Sequence, residues 1–157
     1  MSDQALVIVN QIEIDQPRQL RAMEKLLVGI EAMKPRVVVC IGRLFSERAS
    51  ESDTADQFKQ YLEALAHIVK DKSLEALRLE TEWIFVPSLD DPGQIKLFPC
   101  MPLGEFMFQP LEQAKFKTFK LAPNPLRLSF LGKEIVISRY NYLKKMKQNG
   151  LPKIEFA

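Results

Sequence analysis

The chain has 157 residues, 46% of them hydrophobic and 27% charged, with a formal net charge of +2. That length and mixture suit one globular domain able to bury a core, and the charge is too small for a nucleic-acid surface, which shows as a concentrated basic face. No run of about eighteen apolar residues suits a membrane span, and no basic flank precedes an apolar signal core. The two cysteines, Cys40 in an apolar run and Cys100 in a Pro-rich stretch, supply neither a disulfide framework nor zinc-ligand spacing. A soluble protein of a reducing compartment is expected, with no membrane contact.

Residues 5–9 and 37–41 are short apolar runs, the second rich in β-branched residues and bounded by Pro35 and Gly42. Both suit strands buried on two faces. Between them Pro17 fits the first turn of a helix, and Leu20, Met23, Leu27 and Ile30 recur at spacings of three and four to make one apolar stripe. The pattern is a βαβ unit, so the first two strands should run parallel. Ser52 or Asp53 can cap a second helix whose Phe58, Leu62, Leu65 and Val69 share a face. Residues 74–79 continue it after a break near Ser73, and residues 83–86 form a third strand, so the first half reads βαβαβ. Residues 116–121, 126–130 and 134–138 are further strand candidates with no helix long enough to separate them, and antiparallel hairpins are expected there. Gly132-Lys133 supports a turn between the last two, and Asn141 can cap a closing helix through Lys147. Residues 87–115 hold Pro87, Pro92, Pro99, Pro102 and Pro110 without helical or strand periodicity and read as a flexible loop. Loops of that length inside a compact domain are uncommon and often functional.

In an α/β sheet the ligand crevice lies outside the carboxyl ends of the parallel strands. A two-metal phosphoesterase needs carboxylates and imidazoles converging there to hold its cations and activate a water. The segments in question are Gln11-Ile12-Glu13, Gly42-Arg43-Leu44-Phe45-Ser46 and Ser88-Leu89-Asp90-Asp91. In order and spacing they resemble the Asp-x-His, Gly-Asp-x-x-Asp and Gly-Asn-His-Asp motifs of calcineurin-like phosphoesterases, a resemblance that implies a partial α/β sandwich of that type. The ligands differ at each position. Gln11 stands for an aspartate and Glu13 for a histidine. Arg43 stands for the bridging aspartate and Ser46 for the second one, while Leu89 and Asp90 replace the asparagine and histidine. A guanidinium never deprotonates in practice, so Arg43 puts a fixed positive charge where divalent cations would bind.

This combination, with Asp-Asp-Pro-Gly at Asp90 to Gly93, resembles the B-subunit family of the replicative DNA polymerases, in its epsilon branch more than in alpha or delta. Three further segments carry the likeness: Leu97-Phe98-Pro99-Cys100-Met101-Pro102-Leu103, Asn124-Pro125-Leu126-Arg127-Leu128, and the hairpin and helix from Lys133 to Met146. Leu126 stands for the family's cysteine and Cys100 for its loop arginine. The resemblance implies a single noncatalytic phosphoesterase-like domain over 1–157, nuclear and free of cofactors. It also implies binding to the C-terminal zinc-binding region of a polymerase catalytic subunit and a link to the replicative helicase, with DNA contact indirect or weak. The family carries an oligonucleotide-binding-like domain and further sheet, so the chain is expected to be the central part of a larger subunit and to self-associate when isolated.

Plainer readings stand beside these. Asp90-Asp91 before Pro92-Gly93 reads as a turn rather than an acid/base pair. His67, the one histidine, reads as a solvated or edge-packed side chain on the second helix. Lys144, Lys145 and Lys147 read as a solvated helix end, where cations are favourable. Leu97, Phe98, Met101, Leu103 and Phe106 form a candidate partner-contact loop. The rival functions are a diverged metal-dependent phosphoesterase and a flavodoxin-type ligand module, the latter weakened by the absence of glycine from Asn10-Gln11-Ile12-Glu13.

Overall fold

The computed structural model describes residues 4–46, 55–71, 74–148 and 150. Strands β1 (Leu6–Asn10), β2 (Val37–Ile41), β3 (Glu82–Val86) and β4 (Thr118–Leu121) form one parallel sheet in that order. Strands β5 (Leu126–Phe130) and β6 (Lys133–Ile137) form a separate antiparallel hairpin. The helices are α1 (Pro17–Glu31), α2 (Ala55–Asp71), α3 (Glu75–Leu79), a 3-10 turn (Glu105–Phe108) running into α4 (Gln109–Gln113), and α5 (Tyr142–Gln148).

All five residues of β2 are buried because layers cover both faces of the sheet. Val38 and Cys40, with Trp83 and Phe85 of β3, face the helices, while Val37, Val39, Ile41, Ile84 and Val86 face the hairpin. The α1 stripe buries Met23, Leu27 and Ile30 and half-buries Leu20, and α2 buries its four predicted residues and Ala66. Removing side chains such as Leu27, Leu65 and Trp83 from water contributes about 1.5–3 kcal/mol each. Glu31, at the end of α1, accepts from Ala76 N and Leu77 N at 2.9 and 3.1 Å, supplying acceptors for the first turn of α3. The expected caps at Ser52 and Asp53 and the break near Ser73 lie outside the described residues, as do the side chains of Lys144 and Lys147.

The α/β class, with a parallel first half and an antiparallel pair in the second, is the one expected. One strand runs otherwise. The stretch predicted over 116–121 is β4, and it does not pair antiparallel with β5 but lies parallel to β3, Phe119 opposite Trp83. The reason is the preceding segment. Residues 105–113, expected to belong to a loop, are helical, and they bury Met107, Phe108 and Leu111 against the helical face. The connection is therefore a third crossover, long enough to reverse the chain and add a parallel strand. Crossovers of one hand over one face add each strand on the same side, which is the observed order.

The hairpin turns at Leu131 and Gly132, both with positive φ (+51° and +74°), as a two-residue primed turn requires. Leu126 and Ile137 are buried against the sheet, whereas Leu128, Phe130 and Ile135 are only half-buried.

Candidate functional site

Asn10, Ile41 and Val86 are register partners at the ends of β1, β2 and β3, so the three following loops leave the sheet at one level. The first two stay paired beyond the strands: Gln11 N donates to Ile41 O at 3.0 Å, Glu13 N to Arg43 O at 3.2 Å and Ile14 N to Leu44 O at 2.9 Å. Gln11 and Glu13 hold left-handed backbone conformations (φ +61° and +37°) that non-glycine residues rarely adopt. The turn aims the Glu13 carboxylate across the loops. Its Oε1 accepts from Arg43 Nη2 at 2.5 Å and Nε at 3.1 Å, and from Gln11 Nε2 at 3.2 Å. A second guanidinium enters from the hairpin side, where Arg139 donates to Asn10 Oδ1 and, at 3.3 Å, to Gln11 Oε1. Burial lowers the Arg139 pKa from its ordinary value, and the nearby Arg43 charge adds to this, while Asp91, Asp90 and Glu13 oppose it.

The third loop is held by Asp91, which is 3% exposed. Its Oδ1 accepts from Leu44 N at 2.7 Å and Phe45 N at 3.2 Å, and its Oδ2 accepts from Ser88 N at 2.7 Å and Ser88 Oγ at 3.1 Å. One carboxylate thus joins the loop after β2 to the loop after β3. Burial pushes its pKa up, and these hydrogen bonds pull against that. The loops approach so closely that a Cβ on Gly42 would lie 2.7 Å from Asp91 Oδ2 and against Ser88 N, so only glycine fits. The segment Asp91 to Gln94 is a turn, closed by Gln94 N donating to Asp91 O at 3.4 Å, with Gly93 at φ +76°.

Asn124, fully buried, ties in the hairpin. Its Nδ2 donates to Pro87 O at 2.9 Å and Arg139 O at 2.8 Å, and its Oδ1 accepts from Arg139 N at 3.1 Å. Its backbone also exchanges hydrogen bonds with Cys100, linking the Pro-rich loop to the same point.

Of the residues singled out in the sequence, Gln11 and Arg43 both donate to Glu13. Ser46 is instead held by Asp15, its N donating to Oδ1 at 2.8 Å and its Oγ to Oδ2 at 2.5 Å. Leu89 and Asp90 line an open pocket of about 190 Å³ with Ser88, Lys96, Arg139, Tyr140, Asn141 and Lys145. His67 is exposed on α2, lining a different surface pocket with Glu63, Lys70 and Gln113. In the candidate partner loop, Leu97, Phe98, Met101 and Phe106 are exposed, but Leu103 is core, 4% exposed, because it packs in the helical face with Met107 and Phe108. Leu103 is therefore removed from any contact surface. Sequence reasoning misses Asp91, Asp15, Asn124 and Arg139 as site residues. The turn-forming Asp-Asp-Pro-Gly and the Asn-Pro dipeptide are the only local signals, since each residue's partners lie far away in sequence. Among the described residues, no three histidine, cysteine, aspartate or glutamate side chains cluster to hold a metal ion, and no helix is long and apolar enough to cross a membrane.

Comparison with known proteins extends this description. DNA polymerase epsilon subunit 2 of Drosophila melanogaster is 26% identical over 150 residues, covering 96% of this chain and 27% of the relative. A probable DNA polymerase epsilon subunit 2 of Caenorhabditis elegans is 30% identical over 155 residues, covering 97% and 28%. The Mus musculus protein of that name is 28% identical over 148 residues, covering 94% and 27%. The chain thus spans little more than a quarter of the length of these relatives. The B-subunit family of DNA polymerases alpha and epsilon matches residues 6–155. That match runs through the sheet, the three strand-end loops and the hairpin alike, and the chain belongs to this DNA polymerase alpha/epsilon B-subunit family.

Proposed function

We propose that the chain is a noncatalytic scaffold of an epsilon-type replicative polymerase, a phosphoesterase-like core whose strand-end crevice has exchanged metal chemistry for internal cross-links. The observation that carries this reading is the Glu13–Arg43 ion pair at 2.5 Å, with Arg139 beside it on Asn10 and Gln11. Two guanidinium groups lie at the strand ends, and Glu13, which stands at a ligand position of the phosphoesterase motifs, is already engaged by one of them. Side chains so charged and so paired do not fit a two-metal centre, which needs free carboxylates and imidazoles to neutralise its cations. Asp91 is occupied by three backbone N–H donors and one hydroxyl in the same way.

The relatives are named as polymerase epsilon subunits, and the partner that follows from this reading is the polymerase catalytic subunit, through its C-terminal zinc-binding region. Replicative helicase components would be reached through the same assembly in the nucleus, with DNA contact indirect. The test is co-purification of the chain with the C-terminal region of an epsilon catalytic subunit, and a chain that fails to retain it refutes the scaffold assignment. The rival, a diverged metal-dependent phosphoesterase, is tested by calorimetry with manganese or zinc. No stoichiometric binding is expected, and Arg43→Asp should not restore it, because the neighbouring ligands remain absent. A micromolar site lined by Glu13, Asp90 or Asp91 would favour the enzyme.

A further inference from the structure

Exposed apolar side chains flank, along the chain, residues that line the strand-end pocket: Lys96 on the Pro-rich loop, and Asn141 and Lys145 at and within α5. On the Pro-rich loop, Ile95, Leu97, Phe98 and Met101 are 73, 66, 42 and 68% exposed. On α5, Tyr142, Leu143 and Met146 are 69, 73 and 47% exposed. The two groups are joined by aromatic contacts, with Phe98 edge-on to Tyr140 at 5.6 Å between ring centroids and Tyr140 4.9 Å from Tyr142. Gln94 donates to Met101 O at 3.0 Å and braces the loop from within. Between the groups, the described residues that line the pocket include Lys96, Arg139 and Lys145 with one carboxylate, Asp90.

Scattered exposed apolar residues need no explanation, but a continuous cluster on one face marks a contact surface. We propose that this surface, Ile95 to Met101 of the loop together with Tyr142, Leu143 and Met146 of α5, docks an acidic segment of a partner protein that bears aliphatic and aromatic side chains. The cation excess at the centre selects negative charge in the occupant. The aliphatic share, carried by Ile95, Leu97, Met101, Leu143 and Met146, separates this surface from a single-stranded nucleic-acid groove, where aromatic platforms track a basic channel. Methionine adapts to irregular partners, and Pro99 and Pro102 reduce the conformational freedom the loop loses on binding. The proposal rests on the reading of the chain as a binding part and adds the chemistry of what it binds.

Fluorescence anisotropy with three labelled probes tests it: an amphipathic peptide of Glu, Leu and Phe, its counterpart with Lys for Glu, and an oligo(dT) strand. The acidic peptide should bind at least about tenfold more tightly than the basic one, with affinity falling as salt rises. Leu143→Ser with Met101→Ser, and separately Lys96→Glu with Lys145→Glu, should each weaken binding by about tenfold or more. Their melting curves should match the parent, since all four side chains are exposed. Equal binding of both peptides, binding of neither, or oligo(dT) binding that the same variants abolish would overturn the proposal. Retention of the catalytic subunit with failure here refutes this surface alone, and the converse result refutes the polymerase assignment alone.

Discussion

Asp91→Ala is the substitution that best measures how the strand-end loops are held. Removing the carboxylate leaves the buried N–H groups of Leu44, Phe45 and Ser88 without their acceptor, and frees the Ser88 hydroxyl. A buried donor left unsatisfied costs about 1–3 kcal/mol. The variant also avoids burying a carboxylate, which returns part of that cost, so a net loss of about 3 kcal/mol is expected. For a domain of this length that lowers the melting temperature by about 6–12 °C. Asp91→Asn keeps the oxygen that serves Leu44 and Phe45 but sets an amide nitrogen against Ser88 N, and its loss should be smaller. Gly42→Ala probes the same close approach from the opposite loop, because its Cβ would lie 2.7 Å from Asp91 Oδ2. Thermal unfolding followed by fluorescence of Trp83, buried on β3, provides the assay. If Asp91→Ala melts within about 2 °C of the parent, the carboxylate is not the latch between the loops and the argument fails.

Asn124→Ala removes three hydrogen bonds, one to Pro87 just after β3 and two to Arg139 just after β6; at about 1 kcal/mol each it should cost about 2–3 kcal/mol, and hydrogen exchange should quicken at Arg139 N. Cys40 is fully buried and its thiol pKa is pushed by burial from 9.0 to about 12. Below 9.0 the thiol is protonated in both states and this contribution is complete, and between 9.0 and about 12 only the unfolded chain ionises. Stability should therefore fall by up to about 1.4 kcal/mol per pH unit in that window, a slope that Cys40→Ala removes relative to the parent in alkaline denaturation curves. Arg43→Met should cost more alone than together with Glu13→Met, since the single change leaves a carboxylate only 12% exposed without its guanidinium; additive losses in the double-mutant cycle would refute this. Ile8, 49% exposed on β1, leaves apolar surface beside a strand edge that no described strand pairs. The isolated chain should self-associate in sedimentation, and Ile8→Lys should weaken that; a concentration-independent monomer would contradict it.

The parts of the fold legible in the sequence are those whose own residues decide them. Val37 to Ile41, β-branched and bounded by Pro35 and Gly42, suits a strand buried on both sides, and the α1 and α2 stripes keep helical spacing over three or four turns. Strand β4 lies in the expected place with a different neighbour, because its direction depends on whether residues 105–113 are helical. That stretch is too short, and too interrupted by Pro110, to show a period. The site is legible at the level of which residue types stand at the strand ends, Gln11, Glu13 and Arg43 among them. Their pairing is not, because Glu13 and Arg43 are 30 residues apart, and Asp91 looks in sequence like an ordinary turn residue. Its role arises only when parallel pairing brings Leu44 and Phe45 over it.

The same contacts explain why the interior of the crevice and its rim differ so much. Inside, Glu13, Asp15, Asp91 and Asn124 spend their hydrogen-bonding capacity on neighbouring loops, which fixes the loop geometry and leaves those groups engaged with the protein itself. A partly buried ion pair adds little stability beyond what apolar residues of similar volume would supply. What Glu13 and Arg43 add is a fixed relation between two loops whose backbones are already paired. At the rim the reverse holds. Ile95, Leu97, Met101 and Leu143 are exposed by 66% or more and do little for the domain's own core. The fold thus joins rigid internal cross-links to an apolar and basic margin, and in such an arrangement recognition belongs to the margin while the cross-linked loops set its shape.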